Sequence, residues 1–354
     1  MRRLRPGASI DESGQAHGNN RSFISLLSNL ISIMGSVGQS TTFSKDQLSK
    51  YFDHIKLPQK YRQDDVPRDL PLLTALHIHQ IAAVPYENLS LHYSQHKTVD
   101  LNPQTLFTKF VTNGRNRGGY CMEGSLFFMH VLRSLGFEAY PTGVRIRLRE
   151  DGIPKGDYVG MTHMALIVEL DGEEDKYVCD VAFGGDGPTA PMPLRAGPIT
   201  KNLGSQEVRF ARERVPGSKR QEFWVYQYRN SAAKPWNSFY VFNDTEFLEV
   251  DFNVVNFFTS QSGSFQNFTV MIVKFLLGQD HETGEGKIVG KVMLVNGIVK
   301  RNTGGKTEVV QVCTTEAERV SALKTWFGIT LTDEEVAGIR GSVTELKEVE
   351  VIVA

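Results

Sequence analysis

The sequence predicts an α+β protein: a helical N-terminal part, a run of short antiparallel strands, and a mixed α/β third part. Three observations carry this. Between Ser44 and Leu135, apolar residues recur at helical spacing. After Gly136 the pattern changes to short runs rich in Val, Ile, Phe and Tyr, with turn residues such as Asp151-Gly152 and Asp171-Gly172 between several of them. From about Glu246, helical and strand patterns occur together.

Length and composition bound the reading. A chain of 354 residues suggests two or three domains. With 40% hydrophobic and 22% charged residues it has the make-up of a soluble globular protein. A net charge of −1 gives no electrostatic case for nucleic acid or an anionic membrane. Cys121, Cys179 and Cys313 are odd in number and widely spaced, which suits neither a disulfide framework nor a structural zinc site. A reducing compartment follows, so the expectation is cytoplasmic, with no metal and no obligate protein partner. Residues 1–41 read as a flexible extension. The apolar patch 23–34 is too short to cross a bilayer, and organelle targeting is the alternative role for this stretch.

Taken in order, residues 42–136 form the helical domain. Ser44 and Gln47 have capping-box spacing, and Leu48, Tyr51, Phe52 and Ile55 follow at i, i+3, i+4, i+7. Further helices are expected over 72–82 and 103–112. His77 and His79 lie two apart on the second, so they face away from each other and read as partly exposed residues, not a metal pair. Residues 137–245 hold strands at 137–148, 163–170, 176–183, 207–212, 222–229 and 238–242, the pattern of an antiparallel barrel or sandwich, with the barrel the expectation taken forward. Residues 201–219 are polar and read as exposed. Arg145, Arg147 and Arg149 alternate along the first strand, the mark of a solvated face, with a phosphate site the alternative. Residues 246–354 form the α/β (lid) domain: a helix over 251–259, a strand over 268–276, strands around the Asn296-Gly297 and Gly304-Gly305 turns, and a closing helix capped at Thr314 or Thr315.

One stretch stands out chemically: Arg117-Gly118-Gly119-Tyr120-Cys121-Met122-Glu123. Paired glycines permit a tight turn and a close approach to a ligand. Met122, Leu126, Met129 and Leu132 then recur at helical spacing until Gly136 supplies a stop. Cys121 therefore sits at a helix N-terminus, where free N–H groups and the dipole favour a thiolate.

A nucleophilic thiol needs a base, and the base an orienting partner. His163 opens one strand and Asp180 lies near the close of the next. If the Asp171-Gly172 turn pairs those strands as a hairpin, the two become cross-strand neighbours with side chains near contact distance. Cys179, adjacent to Asp180, must then point to the opposite face and pack in the core.

A Cys-His-Asp order, with the Cys before a helix and the others on strands, is shared by papain-like enzymes. The Cys121 stretch, Thr162-His163, Asp180-Val181-Ala182-Phe183-Gly184 and Pro85-Tyr86-Glu87-Asn88-Leu89 closely resemble the motifs of arylamine N-acetyltransferases over roughly residues 44–330. The resemblance implies a papain-like core with Cys121 as acyl-accepting nucleophile, His163 as base and Asp180 as its orienting carboxylate. It implies a ping-pong transfer of acetyl from acetyl-CoA to an arylamine or arylhydrazine, serving xenobiotic detoxification, with no tightly bound cofactor. Phe183 matches an aromatic that lines the family's acceptor pocket, Tyr86 matches the Phe of its Phe-Glu-Asn-Leu motif, and Gly160 and Ser260 match positions near the CoA cleft. Gln261-Ser262-Gly263 departs from the family pattern beside Ser260. Some fungal relatives favour malonyl-CoA, and the arginine strand and the altered 261–263 tract are places where that choice can be made. A papain-like hydrolase or transglutaminase needs the same triad but a long open peptide cleft. A binding module would be expected to lack a triad member.

Overall fold

The computed structural model describes residues 43–261 and 263–347. The expectations for residues 1–41, including the apolar patch 23–34, lie outside the described residues.

Helix α1, Lys45–Ile55, starts at the expected capping box: the Ser44 side chain accepts from Gln47 N–H, and the Gln47 side chain accepts from Ser44 N–H. It buries Leu48, Tyr51 and Ile55. Helix α2, Leu70–Ala83, is capped by Asp69 and carries Pro71 in its first turn, where no N–H is missed. The short strand β1 (Tyr86–Glu87) and helix α3 (Ser90–Tyr93) follow, and then α4 (Pro103–Phe107), which continues to Thr112 as a wider turn. Helix α5, Cys121–Ser134, is buried along almost its whole length and ends where Gly136 takes φ 84°.

Eight antiparallel strands come next: β2 (Glu138–Glu150), β3 (Ile153–Glu169), β4 (Tyr177–Cys179), β5 (Met192–Pro193), β6 (Thr200–Lys201), β7 (Glu207–Glu213), β8 (Phe223–Arg229) and β9 (Asn237–Phe242). They form one sheet in the order β5-β4-β3-β2-β9-β8-β7-β6, curled into a nearly closed barrel. Helix α6 (Glu249–Thr259) leads into strands β10 (Met271–Gln279), β11 (Gly286–Val295), β12 (Ile298–Asn302) and β13 (Thr307–Val312). Helices α7 (Glu316–Ala322) and α8 (Asp333–Gly338) follow. Thr315 caps α7, and Asn296-Gly297 makes the two-residue turn between β11 and β12. The second sheet is ordered β1-β10-β11-β12-β13, so Tyr86-Glu87 from the helical part supplies its edge.

Strand β3 joins the helical core to the barrel core. Met164, Leu166 and Val168 pack on the helices, while Ala165 and Ile167 face the barrel interior with Phe210, Tyr226, Tyr240 and Phe242. Burial on both faces explains its unbroken apolar run. The strand begins ten residues before the expected start at 163. Pro154, Gly156 and Gly160 argue locally against a strand, but pairing with β2 across the Asp151-Gly152 turn overrides them.

Other expectations are corrected by packing. His77 and His79 do face apart, one towards Pro188 and one towards Ile55, but both are buried, because α2 is covered on more than one side. Residues 201–219 are not uniformly exposed: Asn202, Leu203, Gln206 and Glu207 are buried where the strands turn. The arginine strand is no simple solvated face. Its pairing shifts register after Val144, and Arg147 and Arg149 lie over the rings of Tyr158 and Phe239 at 4.3 and 4.5 Å.

Candidate active site

The paired glycines act on the protein itself. A Cβ at Gly118 would lie 1.8 Å from the carbonyl oxygen of Pro85, and one at Gly119 would lie 2.6 Å from Cβ of Glu123. The close approach expected towards a ligand is thus an approach to the Pro85-Tyr86-Glu87 segment, and it bridges Gly119 to Tyr86. Gly124 does the same one turn into α5, where a Cβ would meet Ala182 at 2.8 Å. The first turn of α5 is thereby drawn against the loop that carries Asp180.

A buried ionic network underlies this loop. Arg117 Nε donates to Glu87 Oε1 at 2.9 Å, and Lys109 Nζ donates to Glu123 Oε1 at 2.6 Å. Glu123 also accepts from Tyr120 N–H at 3.1 Å, holding the helix entry. Arg115 and Arg117 both pair with Glu335 of α8. Burial disfavours charge on Glu87, but Arg117 and Lys109 outweigh it and hold the carboxyl below its usual range. Glu335 was not singled out from sequence, although Thr332 and Glu335 have the spacing of a capping box that the structure forms.

Cys121, His163 and Asp180 come together, all buried. Cys121 is the first residue of α5, and its Sγ lies 3.8 Å from the carbonyl oxygen of Thr162. His163 Nε2 and Asp180 Oδ2 are 2.9 Å apart. The ring's other nitrogen, Nδ1, is left free of the carboxylate. Burial by itself would lower the His163 pKa. The Asp180 charge and hydrogen bond, with the Cys121 sulfur adjoining, outweigh it and raise the value to about 10.

The hairpin between β3 and β4 exists, but the expected pairing is off by two residues. Leu166 lies opposite Cys179, so His163 is in register with Ala182, and Asp180 reaches it diagonally. Strand β4 ends at Cys179, short of the expected 183, because the chain bends over 181–183. The face assignment survives: Asp180 follows the barrel-side parity of Val178, while Cys179 is fully buried on the helical side. Burial, then the charge of Asp180, pushes the Cys179 thiol well above its ordinary value.

Phe183 stands edge-on to His163 with ring centroids 5.0 Å apart, and it packs on Phe239 at 4.6 Å and Tyr240 at 5.0 Å. Tyr86 joins Gln266 through its hydroxyl. Burial, then the nearby Cys121, pushes its pKa up. Gly160 is exposed on β3 with open space where a Cβ would stand. Ser260 ends α6, its hydroxyl donating to the Phe257 carbonyl at 3.1 Å. Phe257 and Phe258 are exposed on the same helix. Tyr240, which sequence reasoning passed over, lies 6.1 Å from His163 and stacks on Tyr226 at 4.5 Å. Its only sequence signal was membership of an apolar strand.

With this geometry in place, comparison with known proteins is decisive. A family model described as N-acetyltransferase matches residues 69–336. The chain belongs to the arylamine N-acetyltransferase family. An N-malonyltransferase of Fusarium pseudograminearum is 36% identical over 324 residues, covering 84% of this chain and 92% of that protein. One from Gibberella moniliformis is 33% identical, covering 83% and 91%. Among solved structures, the arylamine N-acetyltransferase of Salmonella typhimurium superposes with a TM-score of 0.68 at 24% identity, covering 84% of this chain and 98% of that one. The Mycobacterium marinum enzyme in complex with CoA gives 0.65 at 25% identity, covering 82% and 98%. The α+β fold is that of the family, and the chain is an acyl-CoA-dependent N-acyltransferase. Among the described residues, no helix is long and apolar enough to cross a membrane.

Proposed function

We propose that this N-acyltransferase works by a ping-pong cycle through a Cys121 thioester, moving a short acyl group from acyl-CoA to a small aromatic amine. The observation that carries the reading is the buried line of thiol, imidazole and carboxylate, in which Asp180 favours the imidazolium form of His163. An imidazolium beside the sulfur stabilises the thiolate, the reactive form. The thiolate attacks the thioester carbonyl. The carbon–sulfur bond to CoA breaks, and His163 gives its proton to the departing CoA sulfur. Free N–H groups at the first turn of α5 suit the negative charge that develops on the carbonyl oxygen.

In the second half, a neutral aromatic amine attacks the acyl-cysteine, and its proton passes to His163 as the Cys121 thiolate leaves. A flat apolar amine suits the aromatic surroundings of Phe183 and Tyr86. Gly160, Ser260 and the exposed Phe257 and Phe258 form the side on which we place acyl-CoA. The organisation we propose is a helical domain over 42–136, a barrel domain over 137–245 and a lid domain from 246, with cytoplasmic detoxification of aromatic amines as the setting.

For the donor we favour malonyl-CoA over acetyl-CoA. The two relatives that are 36% and 33% identical to this chain by sequence, each over more than four fifths of it, are named N-malonyltransferases. A Mycolicibacterium smegmatis arylamine N-acetyltransferase matches 38% of the chain at 37% identity. A panel of acyl-CoA esters against aniline tests this. The expected result is a higher kcat/KM with malonyl-CoA and a trapped acyl group on Cys121 when the amine is withheld. Absence of acyl-enzyme with every ester would overturn the cycle, while a preference for acetyl-CoA would overturn the donor alone.

A further inference from the structure

Next to the triad lies a second charged cluster that the transfer cycle does not use. It gathers on Asp186, three residues beyond Phe183. Lys291 of β11 donates to the carbonyl oxygen of Gly185, and its Nζ lies 3.2 Å from Asp186 Oδ1. Arg149 of β2 pairs with Asp186 Oδ2 from the other side and lies over the Phe239 ring at 4.5 Å. Gln206 Nε2 adds a contact to Oδ1 at 3.3 Å.

Two routes connect this cluster to the reacting groups. Through aromatic rings, Arg149 covers Phe239, Phe239 packs on Phe183, and Phe183 packs on His163. Across the second sheet, Lys291 is two residues from Met293, so their side chains share a face. Met293 is paired with Val273, and Val273 with Tyr86, which is bridged to Gly119. The loop between the two routes carries Gly184 and Gly185. A Cβ on Gly185 would come within 3.3 Å of Met293 Sδ and 3.6 Å of Lys291 Nζ. Side chains are missing where the cations approach the site.

The cluster has more donors and more positive charge than it consumes. Two cations face one carboxylate, leaving a surplus of one positive charge. Lys291 has three N–H donors and uses two, while Arg149 has five and spends three on Gly152, Tyr228 and Asp186. The Lys291 side chain is only 8% exposed, so water does little for its spare donor. Arg149 is partly open to water, but a spare donor on the buried Lys291 is unfavourable unless an acceptor completes it.

We infer that Lys291 and Arg149, braced by Asp186, recognise a carboxylate carried by a substrate and so determine the specificity of the acyl transfer. The inference rests on the proposed acyl transfer through Cys121. Either substrate can bring the carboxylate: the free end of a malonyl group on the donor, or a ring substituent of the aromatic amine.

The test measures kcat/KM for four pairings, acetyl-CoA or malonyl-CoA with aniline or 4-aminobenzoate. The full chain is compared with Lys291→Met, Lys291→Arg and Arg149→Gln. Relative to acetyl-CoA with aniline, Lys291→Met should lower the carboxylate-bearing pairings about 10- to 100-fold, the effect of losing a hydrogen bond between charged groups. Lys291→Arg should recover most of that ratio. A loss confined to malonyl-CoA assigns the site to the acyl group, and one confined to 4-aminobenzoate assigns it to the acceptor. If Lys291→Met does not fold, Arg149→Gln, whose guanidinium is partly exposed, decides the same ratios. Unchanged ratios in the variants that fold overturn the inference and leave the proposed cycle standing. A wild-type chain that acylates neither amine from either donor fails the cycle, and the inference with it.

Discussion

Two buried histidines sense Asp180, and they end in opposite protonation states. His163 touches the carboxylate at 2.9 Å, and its pKa rises to about 10 despite burial. His77, on α2, rests its Nε2 3.3 Å from the Pro188 carbonyl and feels Asp180 only at a distance. Burial wins there and lowers its pKa to about 4, against the weaker opposing pulls of Pro188 and Asp180. Burial is common to both, so the direct charge-assisted hydrogen bond is what favours the protonated form of one imidazole and leaves the other a neutral packing residue.

The largest expected effect comes from breaking the His163 side. Cys121→Ser should reduce transfer to background, because the hydroxyl has no stable anionic form beside the imidazole. Asp180→Asn should lower kcat/KM by about 10²–10⁴-fold, the usual worth of a well-placed acid–base group. Initial rates with an acyl-CoA and aniline measure both. An Asp180→Asn enzyme within threefold of wild type would show that His163 does not owe its proton to Asp180.

Thiol reactivity sharpens the contrast. Iodoacetamide should modify Cys121 at least about tenfold faster than Cys179 or Cys313 in the native protein, read by peptide mass spectrometry. Burial raises the pKa of both other thiols. Comparable rates at all three would contradict a thiolate at Cys121.

The pH dependence of stability should show both histidines, with opposite signs. Between about 6.5 and 10, folded His163 keeps a proton that the unfolded chain releases, so its contribution is full below 6.5 and is lost as pH rises through 10. Between 6.5 and about 4, the unfolded chain gains a proton that folded His77 refuses, so stability is lost as pH falls; His92, buried in α3 and also lowered to about 4, adds to the same limb. A thermal midpoint that peaks near neutrality is expected. Asp180→Asn should flatten the alkaline limb, and an unaltered alkaline limb would contradict the His163 assignment.

The smallest effect should come from His77. His77→Gln is expected to leave kcat/KM within about threefold and to lower stability by about 1–2 kcal/mol through one buried contact. A large loss of activity in that variant would mean that His77 supports Asp180 after all.

The N-terminal half of the site was the more legible half. Ser44 and Gln47, the helix beginning at Cys121 and the stop at Gly136 are local features, and local hydrogen bonding settles them. The His163–Asp180 contact was legible as a hairpin but not in its register, because register depends on where β4 stops, and that depends on the bend after Cys179. Glu335 and Tyr240 were missed because each reaches the site from a separate element more than fifty residues beyond the nearest triad member.

By itself, the sequence determined the α+β order, the helix-start position of Cys121, the face shared by His163 and Asp180, and the opposite face of Cys179. These follow from periods of 3.6 and 2 and from capping chemistry, which act over a few residues. Only the tertiary structure decided that His77 and His79 are buried. It also decided that Gly118 serves contact with Pro85, and that Arg149 and Lys291 meet across Asp186. Each of these depends on which distant surface covers a residue. That choice is made by the packing of whole helices and sheets, so no local pattern carries it.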